Sequence, residues 1–93
     1  MERKYVTNPC YLHRKIAGED ILISVGGNIA NFNGYVRLNA TSSFLWDRMT
    51  DAKTVEQLIA ALVSEFEVSE DLARKDVTEL IQTLLEKEMI LEV

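Results

Sequence analysis

Val55, Leu58, Ile59, Leu62, Val63 and Phe66 recur at i, i+3, i+4, i+7, i+8 and i+11. At 3.6 residues per turn these positions form one continuous stripe, so the spacing predicts an amphipathic helix. Thr54 precedes the stripe and Gln57 follows three residues later. That pair is a capping box: the hydroxyl accepts from an orphan N–H of the first turn, and the amide reaches back to the cap. A second stripe, Ala73, Val77, Leu80, Ile81, Leu84 and Leu85, predicts a further helix. Ser69 caps it, Glu70 and Asp71 sit at its positive end, and Lys87 complements its negative end. Upstream, Asn39 is placed to cap a shorter helix over Ala40–Met49, and Asp51-Ala52-Lys53 reads as a linker.

The first half of the chain carries a different period. Tyr11–Ile16 partly alternates between Pro9 and Gly18, and Asp20–Val25 is apolar and β-branched. Both read as strands, with Ala17-Gly18-Glu19 as a tight connection. Gly26-Gly27-Asn28 breaks the chain, Asn33-Gly34 is a hairpin signal, and Tyr35-Val36-Arg37-Leu38 reads as the strand after it. Whether Asn28–Phe32 pairs with that strand is left open by the pattern. Ile90–Val93 reads as a short closing strand. Strands first and three helices after predict an α+β class: a small N-terminal antiparallel sheet followed by three helices, similar in outline to a winged helix-turn-helix.

Length and composition narrow the function. Ninety-three residues, 47% apolar and 27% charged, suit one small folded domain over residues 1–93. The longest apolar run, Leu58–Val63, is six residues, far below the roughly 20 needed to cross a bilayer. No signal peptide is visible after Met1, and a single cysteine fits a reducing compartment, so the expected location is cytoplasmic. The net charge of −5 argues against a general nucleic-acid binder. The charge is uneven: residues 1–46 hold five bases and three acids, residues 47–93 five bases and twelve acids.

Reactive chemistry is sparse. Cys10 and His13 are the sole thiol and the sole imidazole. On a strand, residues three apart face opposite ways, so they read as a packed or surface thiol and an ordinary strand residue rather than a catalytic pair. No Cys, His and carboxylate set has the spacing of a metal site, and Gly26-Gly27 is too short for a phosphate loop. No catalytic residue, metal or cofactor is expected. A winged-helix DNA-binding regulator is the alternative reading. Its third helix, however, sets Arg74, Lys75 and Lys87 against Glu70, Asp71, Asp76, Glu79 and Glu86, a balance that phosphates repel.

The strand-to-helix junction Tyr35–Trp46 resembles the PqqD family pattern: an aromatic strand, then Leu38-Asn39, then a helix ending in Leu45-Trp46. Thr54–Ile59 is similar to that family's second-helix opening. Asp76-Val77 with Leu80-Ile81 and Leu84 is similar to its third helix, and Met89-Ile90-Leu91 to its ending. Ser42 stands where the family often has glycine. The resemblance runs over roughly residues 10–93. It implies a non-catalytic protein that binds the leader segment of a ribosomally made precursor peptide and presents it to a separate maturation enzyme, often a radical SAM protein. It also implies that the leader adds as a strand beside Tyr35, Val36, Arg37 and Leu38 and packs on the third helix. There Lys75, Asp76, Glu79, Leu80 and Thr83 are the candidate contacts. An exposed edge strand also permits exchange between copies, so a homodimer is compatible with this reading.

Overall fold

The structure, a computed structural model, describes residues 3–24 and 35–93. Its elements are β1 (Lys4–Thr7), β2 (Tyr11–Ile16), β3 (Glu19–Ser24), β4 (Tyr35–Leu38), α1 (Ala40–Arg48), β5 (Lys53–Thr54), α2 (Val55–Phe66), α3 (Glu70–Glu86) and β6 (Ile90–Glu92). The α+β class holds. The strands, however, form two antiparallel three-stranded sheets, ordered β2-β3-β4 and β5-β1-β6.

The first sheet is local. Ala17 and Gly18 both have positive φ, 53° and 80°, and close a two-residue hairpin between Ile16 and Glu19. A type I′ turn needs that sign at both central positions, because its twist then matches the flanking strands. β3 therefore begins at Glu19, one residue before the sequence pattern places it. β4 pairs with β3 through Ile23↔Tyr35, Leu22↔Val36, Ile21↔Arg37 and Asp20↔Leu38. The expected Asn33-Gly34 turn and the open question over residues 28–32 lie outside the described residues.

The second sheet joins distant parts of the chain. β1 pairs with β6 through Tyr5↔Glu92, Val6↔Leu91 and Thr7↔Ile90, and with β5 through Lys4↔Thr54 and Tyr5↔Lys53. Lys53, expected in a linker, is thus part of a short strand. Thr7 N–H donates to Met49 O (2.9 Å) and Asn8 N–H to Met89 O (3.0 Å), which ties β1 to the ends of α1 and α3.

The helices follow their caps. Asn39 Oδ1 accepts from Ser42 N–H (2.8 Å) and from Thr41 Oγ1–H (2.9 Å). The capping box is complete: Gln57 N–H donates to Thr54 Oγ1 (3.1 Å), and Thr54 N–H donates to Gln57 Oε1 (2.9 Å). Ser69 Oγ accepts from Leu72 N–H (3.2 Å). Leu58, Ile59 and Leu62 of α2 meet Ala73, Val77, Ile81 and Leu84 of α3 in one buried cluster, with Leu22, Leu38, Leu45, Trp46 and Met49. Arg74 adds a surface clasp to the α2–α3 pair, donating to both oxygens of Glu56 (2.7 and 3.2 Å) and to Glu70 (3.1 Å). Hydrogen bonding to Arg74 lowers the Glu56 pKa and raises that of Arg74. Among the described residues, no helix is long and apolar enough to cross a membrane.

Candidate functional site

Among the described residues β4 is an edge strand. β3 pairs with one side of it, and among the described residues nothing pairs with the other. Side chains alternate along a strand, so Val36 and Leu38 share one face and Arg37 takes the opposite one. Leu38 is buried and Val36 is half-buried against the core, while Arg37 is exposed, with Nη1 3.6 Å from Glu19 Oε1. The side chains at 36 and 38 anchor the strand and leave its open edge as a row of backbone donors and acceptors. Such an edge is a template for an added strand.

Directly after β4, a groove of about 270 Å³ opens between α1 and α3. Asn39, Thr41, Ser42 and Leu45 form one wall; Asp76, Glu79, Leu80 and Thr83 form the other. On α3 these four lie at i, i+3, i+4 and i+7, which is one helix stripe. The structure thus brings together four of the five residues expected on the third helix. Lys75 is exposed and is not one of the groove's lining residues. Among the described residues Lys75 and Glu79, although i,i+4 on the helix, form no salt bridge, and Asp76 has no salt-bridge partner. The α1 wall was missed in the sequence. Its signal is the placing of Thr41 and Ser42 four and three residues before Leu45, on one helix face.

A wider concavity of about 590 Å³ is lined by Lys4, Thr54, Glu56 and Gln57. It has no apolar lining side chain. Thr54 and Gln57 are committed to the capping box and Glu56 to Arg74. The α1–α3 groove is therefore the better candidate, because it adds Leu45 and Leu80 to polar walls and adjoins the open strand.

A polar latch lies where the first sheet meets α1. His13 Nδ1 donates to Asp47 Oδ1 (2.9 Å), Nε2 donates to Asp20 Oδ1 (2.8 Å), and Ser43 Oγ lies 3.2 Å from Nε2. The sequence reading of His13 as an ordinary strand residue is corrected here. The fold brings it two carboxylates, from β3 and from α1. Burial opposes the charged ring, but the hydrogen bonds the ring donates to Asp47 and Asp20 outweigh it and raise the His13 pKa above 6.5. The hydrogen bond from His13 in turn lowers the pKa of Asp20 below 3.8. The signs set a pH window. The Asp20 contribution to stability is lost as pH falls below about 3.8, and the His13 contribution is lost as pH rises through its raised value above 6.5. His13→Ala is therefore expected to cost about 1–2 kcal/mol at pH 6 and less at pH 9, measured by urea unfolding at both values. An equal cost at both would show that the charged ring is not what holds the latch.

Both ring nitrogens of His13 are thus occupied. Cys10 is exposed, outside β2, with its N–H donating to Asn8 Oδ1 (2.9 Å). Among the described residues no group of three or more His, Cys, Asp or Glu side chains is arranged to hold a metal ion.

The comparisons with known proteins decide the family. The family model for Coenzyme PQQ synthesis protein D (PqqD) matches residues 19–90. The chain belongs to the PqqD family. The PqqD match begins at β3 and ends at β6, and so spans the open strand, both walls of the groove and the α2–α3 pair. Two solved structures share the fold. One, described as TbiB1 in complex with the TbiA(beta) leader peptide, is 20% identical with a TM-score of 0.72, over 91% of this chain and 93% of that one. The other, lasso peptide synthetase B1 complexed with the leader peptide, is 23% identical with a TM-score of 0.72, over 94% and 96%. No curated protein matches the sequence significantly.

Proposed function

We propose that this chain is a non-catalytic, cytoplasmic recognition domain for the leader segment of a ribosomally made precursor peptide, acting over residues 1–93. The leader adds as a strand along Tyr35–Leu38 and seats side chains in the groove at Asp76, Glu79, Leu80 and Thr83, with Lys75 as an outlying charge. A separate maturation enzyme, of the radical SAM kind in many PqqD pathways, then acts on the presented core. The observation that carries the reading is the juxtaposition of an open strand edge with the α1–α3 groove in a PqqD-family chain. An extended peptide needs both parts: main-chain hydrogen bonds for affinity and a pocket for alternate side chains. The two structural neighbours named above, each holding a leader peptide, support it.

The DNA-binding alternative is disfavoured by charge. With Arg74 held by Glu56 and Glu70, the remaining charges of α3 still favour the acids, Lys75 against Asp71, Asp76, Glu79 and Glu86. The test is a polarisation titration with a synthetic fluorescein-labelled leader of the cognate precursor. Saturable binding at micromolar affinity or tighter is expected, with no response from labelled duplex DNA at low salt. A flat leader titration would overturn the proposal.

A further inference from the structure

The groove's two walls differ in chemistry, and the difference points to a particular ligand side chain. The α3 wall carries two carboxylates, Asp76 and Glu79, beside Leu80. Of the bases nearby, Lys75 lies outside the groove lining and within salt-bridge distance of neither carboxylate, and two others are held elsewhere. Arg74 holds Glu56 and Glu70, and Arg37 lies on the opposite face of β4 beside Glu19. Among the described residues, neither Asp76 nor Glu79 has a cation within salt-bridge distance.

The α1 wall does not compensate. It offers Asn39, Thr41 and Ser42, all uncharged. The first-turn N–H of Ser42, which would otherwise face an anion, is taken by Asn39 Oδ1 at 2.8 Å. The groove is thus electronegative on one side, neutral on the other and apolar at Leu45 and Leu80.

We infer that this groove selects leaders that carry a lysine or arginine two positions from an aliphatic residue. The inference rests on the leader-binding reading and names the chemistry of its ligand. Spacing supports it. Side chains at i and i+2 of a strand stand about 6.7 Å apart. Asp76 and Leu80 are four residues apart on a helix, about 6 Å along its axis. A strand running along α3 therefore sets a basic side chain at Asp76 and Glu79 when its aliphatic neighbour sits on Leu80. An acidic residue at the same place would face two uncompensated carboxylates.

The experiment uses the full chain and the labelled leader described above, with each Lys and Arg of the leader changed to Gln in turn. One such change is expected to weaken binding about tenfold, an effect that shrinks at high salt. The double variant D76N/E79Q is expected to bind the unchanged leader about tenfold more weakly and to be indifferent to the same Gln substitution. Circular dichroism controls for folding. A charge exchange, Glu79→Lys with Glu at the sensitive leader position, is expected to restore most of the loss. If every Gln substitution is neutral, or D76N/E79Q binds as the parent does, the inference is overturned while leader binding stands. A flat titration with the unchanged leader overturns the leader-binding reading itself, and the inference with it.

Discussion

Replacing Trp46 with alanine is expected to cost about 3–5 kcal/mol of stability, the largest single loss in the molecule. Trp46 is 3% exposed and belongs to the cluster in which α1 meets the α2–α3 pair. Its neighbours in sequence cannot take up the space, because each has its own place. Leu45 is buried, and Phe44 stacks edge-on against Phe66 at 5.4 Å with Arg48 over its ring at 5.1 Å. A domain of this size has only about 5–14 kcal/mol in hand, so such a loss should lower the melting temperature by roughly 15–30 °C. Leu91→Ala is the control. Leu91 is also a large hydrophobic residue but is 42% exposed, and its removal is expected to change the melt by only a few degrees. Thermal unfolding followed by circular dichroism checks both. Equal shifts would mean that α1 is not packed as described.

Replacing Leu80 with glutamate is expected to abolish leader binding, by about a hundredfold, while the helices remain. Leu80 is half-buried: one side packs on the core and the other lines the groove beside Leu45. The change removes an apolar contact worth roughly 1.5–2 kcal/mol and adds a third carboxylate next to Asp76 and Glu79. Leu80→Ala separates the two effects. It keeps the charge unchanged and should weaken binding only about tenfold, measured by polarisation with the same labelled leader. Binding by Leu80→Glu at the parent's affinity would place the peptide outside the groove.

These expectations rest on parts of the molecule that were unevenly legible in the sequence. The α2 stripe from Val55 to Phe66, with Thr54 and Gln57 as its capping box, is read directly, because helix periodicity and caps are local signals. The same holds for Asn39 and Ser69. β1 was missed for the opposite reason. Lys4–Thr7 is four residues long, and its partners are β5 and the far end of the chain, so nothing near it in sequence announces the pairing. β5 is two residues long and reads as linker. His13 shows the same limit in chemistry. Asp20 is seven residues away and Asp47 thirty-four, and only the fold makes one imidazole answer to both.

The candidate site was legible on α3 and not on α1. Asp76, Glu79, Leu80 and Thr83 share a stripe that the helix period alone assembles, and the family resemblance singles it out. Thr41, Ser42 and Leu45 become a wall only when α1 is set against α3, a tertiary fact. The edge position of β4 was expected in the sequence, from its place as the last strand before the helices, and the sheet order agrees with it among the described residues.

Strand addition to β4 is the central claim, and backbone hydrogen exchange tests it most directly. In an antiparallel pair, alternate residues turn their N–H groups toward one neighbour and the rest toward the other. The amides of residues 35–38 that face away from β3 are therefore expected to exchange freely in the chain alone. With saturating leader they are expected to slow markedly, together with groove residues around Asp76–Thr83. Protection that appears elsewhere while these β4 amides stay fast would contradict the account.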